Sequence, residues 1–511
     1  MNVADEASRS IWMEEGPAIN ALALTADIDC DVAIVGGGIA GLSTAYELAR
    51  RGRQVVVIDR GRIGGGMTAR TTAHLSSELD DRYFELVDAR GEDEARLYYE
   101  SQAAAVDRIE TVCREEGIDA DFARLDGYLF AAEDEHKEEL EKEYEACRRI
   151  GMAVEWADRA PMDGLDTGRC LRFPNQGRFH PAKYMAALAR GIEARGGRLY
   201  DHSAHVDERE TEGGVEIETG KGHRIRAAAA LFATNSPTNN KVAIHAKQVP
   251  FRTYVVAGRI PKGSVADALL WDTLDPYHYV RIQPFNQTSD LLIAGGEDHR
   301  AGEMDDMKTR LNALERWTKK RFPAFTEAHD RWSGQVMEPA DFLPFSGRNP
   351  GNERIYIHSG DSGQGITNGV AGSLVIADLI AGGENRFASL FDPGRKPPGA
   401  FTPIVEFIEG QAGAVRNFAE YLGPGEISAA SDLRRGDGAI LRRGMHKIAV
   451  CRTEDGELIE RSAVCTHLGC IIHWNSFEQC WDCPCHGSQF APNGQVLNGP
   501  AKAPLAKVEE D

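Results

Sequence analysis

The sequence predicts three parts: an α/β domain on a doubly wound parallel sheet, an antiparallel-sheet domain inserted into it, and a small C-terminal domain. A strand, a glycine loop, a helix and a second strand follow one another within residues 32–59. From Val249 the pattern changes to strands without crossover helices, which is typical of an antiparallel sheet. The last 85 residues or so, after Gly423-Pro424-Gly425, have their own cysteine-rich pattern and are long enough for a domain.

Length, charge and cysteine usage narrow the class of protein. At 511 residues the chain is too long for one core. A net charge of -21 disfavours nucleic acid and anionic membrane surfaces as partners.

The first thirty residues show no secretory signal, and no apolar run is long enough to span a membrane, so we expect a cytoplasmic protein. Five of ten cysteines lie between Cys465 and Cys485, which favours a metal site over a disulfide scaffold.

Residues 32–59 carry the pattern of a nucleotide-binding βαβ unit. The apolar run from Val32 to Val35 predicts a strand buried on both faces. Gly36, Gly38 and Gly41 fit G-x-G-x-x-G, in which glycines allow a tight turn, approach of a pyrophosphate and close helix packing. Asp59 ends the second strand about twenty residues on, where a carboxylate accepts from ribose hydroxyls. We therefore predict a dinucleotide at this loop.

Further segments are predicted to return to the same ligand. The loop Gly61–Glu78 is rich in glycine and small hydroxyl residues and contains Arg70 and His74; an ordinary surface loop is the alternative. An apolar strand ends in Ala233-Thr234-Asn235, as expected where a doubly wound sheet meets its ligand. The run Gly360–Gly382 is another glycine-rich turn that opens a helix.

The remaining elements follow from periodicity and breaker residues. Predicted helices are a largely helical region over residues 80–150, then Ala182–Arg195, Arg310–Arg321 and a charged helix over Phe401–Leu422. Predicted strands are Gly127–Ala132, a pair formed by Arg198–His205 and Gly214–Glu218, Ala227–Ala233, Tyr254–Ile260, Ala268–Trp271, His278–Gln283, Leu291–Gly295 and Ile355–His358.

The C-terminal cysteines and histidines are spaced as metal ligands. Cys465-Thr-His467 and Cys483-Pro-Cys485-His486 give C-x-H and C-x-x-H, separated by fifteen residues. Two thiolates and two imidazoles suit either a tetrahedral zinc ion or a [2Fe–2S] cluster with one iron on sulfur and one on nitrogen. The ligand set alone does not decide between them.

The surroundings of these ligands closely resemble the Rieske iron–sulfur family. That resemblance implies a [2Fe–2S] cluster held by Cys465, His467, Cys483 and His486, and a disulfide between Cys470 and Cys485. It also implies that the hydroxyl of Ser488 hydrogen-bonds a cluster sulfur and that Gly499-Pro500 belongs to the covering loop. High-potential members have a tyrosine where this chain has Phe490, so we expect a lower potential.

The first 400 residues resemble the D-amino-acid oxidase and glycine oxidase superfamily, and members with a C-terminal Rieske domain look most like the whole chain. The resemblance rests on VAIVGGGIAGLSTAYEL, the Met67–His74 loop, Phe179-His180-Pro181, the Ala233–Asn235 strand end, Asp341–Gly347 and Gly360–Thr367. It implies that FAD is bound by Gly36, Gly38, Ile39, Ala40, Gly41, Asp59, Arg60, Arg70, Thr71, Thr72, His74, Gly360, Gly363, Gly365, Ile366 and Thr367.

This reading gives an α/β FAD-binding domain of Rossmann type, an inserted antiparallel-sheet substrate domain and an all-β Rieske domain. The expected bounds are 25–80, 170–247 and 335–400 for the FAD-binding domain; 81–169 and 248–334 for the substrate domain; 401–423 for a helical linker; and 424–511 for the Rieske domain.

The substrate site differs from that of the amino-acid oxidases. In those enzymes an arginine just before the Asp341 motif usually holds the substrate carboxylate, but Gly334–Pro339 contains none. A simple α-amino acid bound in the usual way is therefore not expected. Arg281 on the inserted sheet could replace that arginine as a substrate contact, and an interstrand ion pair is the alternative.

The combined features predict an FAD enzyme that oxidises an amine or amino-acid-like small molecule. A one-electron cluster attached to a two-electron flavin favours electron export to a ferredoxin, a cytochrome or a quinone-linked carrier. The first alternative is a reductase that feeds a partner oxygenase, but only one dinucleotide motif is found. A Rieske oxygenase lacks support because no convincing 2-His-1-carboxylate iron site is seen. The third alternative is a redox sensor without turnover.

Overall fold

The computed structural model describes residues 1–239, 244–396 and 420–508. Its strands are β1 (Ile28–Val35), β2 (Val55–Ile58), β3 (His74–Leu75), β4 (Ala123–Phe130), β5 (Glu155–Ala157), β6 (Cys170–Arg178), β7 (Arg198–Tyr200), β8 (His205–Thr211), β9 (Gly214–Thr219), β10 (Arg224–Phe232), β11 (Gln248–Pro261), β12 (Leu269–Asp272), β13 (His278–Pro284), β14 (Ser289–Arg300), β15 (Asp330–Pro339), β16 (Phe345–Arg348), β17 (Ile355–Ser359), β18 (Gly438–Arg443), β19 (His446–Arg452), β20 (Leu458–Ser462), β21 (His473–Asn475), β22 (Cys480–Asp482), β23 (Gln489–Phe490) and β24 (Val496–Asn498). Its α-helices are α1 (Ile11–Glu15), α2 (Ile39–Arg50), α3 (Tyr83–Arg90), α4 (Glu92–Glu115), α5 (Lys137–Arg149), α6 (Pro181–Glu193), α7 (Met307–Arg321) and α8 (Gly365–Ile380).

The first sheet has eight strands and contains the predicted βαβ unit. Its main path runs β16-β17-β10-β1-β2-β7, and β8 and β9 extend it from β10. The neighbours from β17 to β7 pair in parallel. All four residues of β2 are buried, as the continuous apolar run predicts for a strand covered on both faces. The carboxyl ends of β1, β2, β10 and β17 therefore meet at one edge.

The second sheet has nine strands and is mostly antiparallel, as predicted. Its path is β15-β11-β14-β13-β12-β4-β6-β3, with β5 beside β6. The pair β4–β12 is parallel. It joins a strand from residues 81–169 to one from residues 248–334. The helix α7 packs on β11 and β14.

Some predicted boundaries differ from the observed sheets. The strand β6 was assigned to the FAD-binding segment 170–247, but it pairs with β4 in the second sheet. The predicted pair Arg198–His205 with Gly214–Glu218 is wrong in its first half, since β7 pairs with β2 and the partner of β9 is β8. The chain turns between β7 and β8 at His202, which has a φ of 46°.

The C-terminal region forms a small all-β unit. The strands β18-β19-β20 make one antiparallel sheet, and β21-β22-β23-β24 make a second. A core that includes Trp474, Trp481 and Phe490 packs with the two cysteine loops. Most of the predicted helical linker, residues 401–419, and the last residues, 509–511, lie outside the described part of the chain. Within the described part, no helix is both long and apolar enough to cross a membrane.

Candidate functional site

The glycine loop after β1 has the geometry expected of a dinucleotide cradle. Gly36 has a φ of +107°, and a Cβ there would lie 2.1 Å from the Ala233 carbonyl oxygen. A Cβ at Gly41 would lie 1.9 Å from the Gly36 carbonyl oxygen, so α2 can pack this closely only with glycine. The N-cap of α2 is Gly38, which has no side chain to satisfy the helix N–H groups. Such an N-terminus is suited to phosphate.

Asp59 lies where the predicted ribose contact should be. Its Oδ2 accepts from the Gly37 N–H at 2.9 Å, and its Oδ1 accepts from the Gly61 N–H at 2.9 Å. Both bonds hold the carboxylate at the end of β2, beside the glycine loop. The side chain of Asn2 also reaches Asp59, at 3.3 Å, so the N-terminal segment closes this end.

A single large cavity extends from this loop along the edge of the first sheet. Of the residues predicted to bind FAD, its walls include Gly36, Gly38, Ile39, Ala40, Asp59, Arg60, Arg70, Thr71, Thr72, Gly363, Gly365 and Ile366. The Thr68 hydroxyl accepts from the Ile39 N–H at the start of α2, at 3.0 Å, and Gly38 adds no side-chain cap. This helix N-terminus, the glycines at 36, 38, 66, 334, 363, 365 and 499 on the wall and an acidic residue at the ribose position make this cavity fit FAD.

Four predicted FAD residues do not line the cavity. Gly41 acts one layer below, through helix packing, and Gly360 and Thr367 lie beside the turn into α8. His74 is packed between the rings of Trp271 and Tyr279, and burial lowers its pKa to about 3. His74 is therefore a neutral imidazole that packs behind the cavity wall.

Arg281 is not a substrate contact, because its side chain is fully buried and is not part of the cavity wall. Nη1 donates to the backbone oxygens of Ala73, at 2.7 Å, and Phe179, at 3.1 Å, and Nη2 donates to Gln283. Among the residues that the structure describes, no carboxylate forms the predicted alternative, an interstrand ion pair with Arg281, either. Arg281 instead ties the two loops that carry Ala73 and Phe179 to β13.

Several cavity residues were not predicted from the sequence. The second sheet and the loop before β13 contribute Thr253, Tyr277, Tyr279, Asp298 and Gln335, and β8 and the loop after β10 contribute His205 and Thr238. The N-terminal Asn2 and Val3 and the C-terminal Leu497, Asn498 and Gly499 also line it. The alternation of residues in a strand does not reveal which face borders a cavity. Among the strands, only the Ala233–Asn235 strand end indicated from the sequence that it borders the ligand.

The two cysteine loops meet as the metal-site prediction requires. The rings of His467 and His486 lie 5.0 Å apart at 87°. The thiols of Cys465 and Cys483 are in contact, which lowers the pKa of Cys465 to about 7 and raises that of Cys483. Burial lowers the pKa of His486 to about 4, and a neutral imidazole is the form that binds metal. Two thiols and two imidazoles from two loops fit a Rieske cluster.

The residues around these ligands also agree with the Rieske resemblance. Cys470 and Cys485 form a disulfide, with their Cα atoms 6.5 Å apart. The hydroxyl of Ser488 accepts from the Ala501 N–H at 3.0 Å and contributes to lowering the Cys465 pKa, so it lies beside the thiol. Phe490 is fully buried and offers no hydroxyl.

The two histidines of this site, His467 and His486, face His245, which lies just before β11. The ring of His245 lies 4.8 Å from that of His467 and 5.4 Å from that of His486. Gln335, on the cavity wall, donates to the Gly487 backbone oxygen at 2.9 Å and accepts from Asn498 at 2.8 Å. One hydrogen-bonded side chain thus spans from the cavity to the residue next to His486.

A group of fully buried charges joins the FAD-binding and Rieske parts of the chain around Ser333 of β15. We call it the interdomain network: Arg70, Arg252, Glu6, Glu478 and Asp482. Arg70 lies 3.0 Å from Glu6 and 3.1 Å from Glu478, and Arg252 lies 2.9 Å from Asp482. The guanidinium of Arg70 therefore points away from the cavity, and only the rest of this predicted FAD residue lines it.

The comparisons with known proteins agree with this geometry. Residues 31–379 match the DAO family, described as FAD dependent oxidoreductase, and residues 424–509 match the Rieske [2Fe-2S] domain. The chain is 31% identical over 516 residues to the putative Rieske 2Fe-2S iron-sulfur protein YhfW of Bacillus subtilis (strain 168), covering 99% of both chains.

Two further similarities concern the FAD part. Gamma-glutamylputrescine oxidoreductase of Escherichia coli (strain K12) is 29% identical over 399 residues, covering 75% of this chain and 91% of that protein. The crystal structure of glycine oxidase from Geobacillus kaustophilus superposes with a TM-score of 0.61 at 21% identity, covering 72% of this chain and 99% of that one. The two predicted cofactors, FAD and a Rieske [2Fe-2S] cluster, are thereby confirmed; which individual residues bind them stays a prediction.

Proposed function

This chain belongs to the family of FAD dependent oxidoreductases and carries a Rieske [2Fe-2S] domain, and from that premise we propose its reaction. It oxidises an amine or amino-acid-like small molecule, and the electrons leave through the Rieske cluster to an external one-electron acceptor. The acceptor is a ferredoxin, a cytochrome or a quinone-linked carrier. The cytoplasmic location expected from the sequence stays a prediction.

The observation that carries this proposal is the continuity of the cavity. Its walls run from the glycine loop at Gly36 to Leu497, Asn498 and Gly499 of the Rieske domain. Gln335 bridges that wall to Gly487, beside His486. A cluster domain docked on the FAD cavity is arranged for electron exchange within one chain.

The chain's own residues would hold the cofactor and enclose the reacting end. The loop at Gly36, the N-terminus of α2 and Asp59 would bind the dinucleotide. When bound, FAD would take a hydride from the carbon next to the substrate nitrogen, leaving an imine that water hydrolyses. Thr253 and Tyr279, whose hydroxyls hydrogen-bond at 2.8 Å, line the far part of the cavity. The names of two similar proteins, an oxidoreductase of gamma-glutamylputrescine and a glycine oxidase, support a nitrogen-bearing substrate.

The test is anaerobic titration of the purified protein with a panel of amines, followed by visible absorption and low-temperature EPR. We expect substrate to bleach the flavin and a Rieske EPR signal to appear. Bleaching by a nicotinamide but by no amine would overturn the proposal in favour of a reductase. A flavin and cluster that no donor reduces except dithionite would favour the sensor.

The route between the cofactors is tested separately with Gln335→Leu. We expect flavin bleaching by substrate to keep its rate, whereas the rise of the cluster signal in rapid-mixing experiments slows. Asn286→Ala, on the exposed turn between β13 and β14, is the control and should change neither rate. Equal cluster reduction in Gln335→Leu and wild type would exclude a path through Gln335.

A further inference from the structure

The part of the cavity lined by Tyr277, Asp298, Ser362 and Gly363 is surrounded by carboxylates. We call Asp80, Asp81, Asp298 and Glu338 the acidic end. Asp298 lines the cavity itself. The other three stand directly behind its wall, and each is linked to it by a hydrogen bond or a close contact.

Those links place Asp80, Asp81 and Glu338 directly behind the residues that form the wall. Asp80 Oδ2 accepts from the Tyr277 hydroxyl at 2.7 Å, and a Cβ on Gly363 would lie only 1.8 Å from the same oxygen. Glu338 accepts from the Ser362 hydroxyl at 2.6 Å. Tyr277, Ser362 and Gly363 are all wall residues.

Neighbouring protein charges do not bring the pKa values at the acidic end down to the usual range of carboxyl groups. Burial raises the pKa of Asp81 and of Asp298 to about 7. Burial, followed by repulsion from Asp81, raises the pKa of Glu338. Oδ1 of Asp298 is buried and accepts no hydrogen bond from the described residues. Carboxylates with raised pKa values and a free acceptor atom in a cavity are suited to a cationic ligand.

The nearby cations are already engaged by other carboxylates. Arg82 contacts Glu139 at 2.9 Å, His278 contacts Asp272 at 3.0 Å, and Arg310 contacts Asp306 at 2.8 Å. Among the described wall residues, the only arginines are Arg60 and Arg70, which lie near the glycine loop, and there is no lysine. A substrate carboxylate would therefore find no cationic partner at the acidic end.

Aromatic rings complete a cation-binding wall. Tyr277 and Tyr279 lie 5.4 Å apart, and both border the cavity. The face of a tyrosine ring attracts ammonium groups, most strongly where water is excluded.

We propose that the acidic end binds the remote ammonium group of a diamine or longer polyamine, so that the substrate is a polycation without a carboxylate. This inference rests on the proposed function and adds the substrate class. One amino group reaches the cofactor in its neutral form. The second stays protonated beside Asp298, and Asp80 and Glu338 act on its charge from behind Tyr277, Gly363 and Ser362.

Three compounds with the same four-carbon chain test the proposal: 1,4-diaminobutane, 1-aminobutane and 4-aminobutanoate. Isothermal titration of the FAD-loaded protein under anaerobic conditions measures the affinity for each. Two buffers of different ionisation enthalpy report the protons released. We expect the diamine to bind about 10- to 100-fold more tightly than the other two, the range expected for a charge-assisted hydrogen bond. At pH 6.5 the diamine should release protons from the acidic end.

The variants Asp298→Asn and Glu338→Gln should each remove most of this preference and reduce proton release, with little change for 1-aminobutane. Asp290→Asn, on the same strand as Asp298 but outside the cavity, is the matched control and should behave as wild type. Thermal unfolding checks that each variant is folded.

Equal or tighter binding of 1-aminobutane or 4-aminobutanoate would overturn the inference. So would a diamine preference that survives both variants. Flavin bleaching is recorded in parallel and tests the proposed function on its own. Tight binding of the diamine without bleaching by any amine would refute amine oxidation and leave the polycation site standing.

Discussion

The molecule has a fully buried group of carboxylates, the interdomain network, and a half-buried group, the acidic end, and they differ in whether cations accompany them. In the interdomain network, Arg70 and Arg252 contact Glu6, Glu478 and Asp482, and the side chains are 0–2% exposed. At the acidic end, the neighbouring cations are held by other partners. Removing one partner of a buried pair is costly because it leaves an unpaired charge, so we expect the network to hold the domains together and, as proposed, the acidic end to accept the charge of a ligand.

The pKa values of the carboxyl groups also differ between the interdomain network and the acidic end. Burial raises the pKa of Glu478, but Arg70 and Arg252 outweigh it and bring that pKa below its usual range. At the acidic end burial dominates, and the pKa of Asp298 rises to about 7. Glu6 belongs to the network but behaves like the acidic end, since burial raises its pKa to about 7. With Glu6 protonated, two arginines face two carboxylates and the network is neutral.

The largest expected effect comes from removing one cation of the interdomain network. Arg252→Met leaves Asp482 buried without its partner, and we expect it to cost about 3–5 kcal/mol of unfolding free energy. Urea unfolding of the FAD-loaded protein measures this. Arg259→Met, on the same strand but exposed, is the control and should cost less than about 1 kcal/mol. Equal losses in the two variants would contradict the comparison.

Glu478→Gln tests the network from the acidic side. Because the folded-state pKa of Glu478 is lowered, its charge adds stability above the unfolded pKa, and this is lost as pH falls through the folded pKa. We expect the variant to cost about 1–3 kcal/mol at pH 7 and less as the pH falls below 4. A penalty that does not change with pH would show that packing, not charge, is lost.

For Asp298→Asn we expect the opposite effect on the unfolding free energy, a gain in place of the loss expected for Glu478→Gln. The folded-state pKa is raised to about 7, so wild type loses stability as pH rises from about 4 to 7 and this charge forms in the cavity. Without polyamine, the variant should be more stable than wild type by on the order of 1 kcal/mol at pH 8, with no gain at pH 4. A variant less stable at pH 8 would mean that a protein cation already pairs with Asp298.

The smallest effect is expected at the rim of the domain interface. Lys502 of the Rieske domain lies 3.0 Å from Glu208 of the first sheet, with 28% and 15% of the side chains exposed. Lys502→Met should cost about 0.5 kcal/mol, and added salt should shrink the difference. A loss as large as that of Arg252→Met would remove the distinction between buried and rim charges.

The sequence alone determined the two cofactors, because each depends on residues close together in the chain. Gly36, Gly38 and Gly41 fix a backbone shape within six positions. Cys465 with His467, and Cys483 with His486, present their ligands from single loops. Periodicity likewise predicted many strands of both sheets, but β3, β5, β6, β8, β15 and β16 were not predicted, and β7 was assigned the wrong partner.

Only the tertiary structure decided which side chains share a cavity and which share a buried network. Asp80, Asp298 and Glu338 come from three distant segments, and Arg70 meets Glu6 and Glu478 from opposite ends of the chain. Arg70 and Arg281, both predicted as ligand contacts, instead bind backbone oxygens or buried carboxylates. Whether a buried arginine or aspartate is paired depends on neighbours that local propensity and spacing do not specify, so their roles emerge only when the chain is folded.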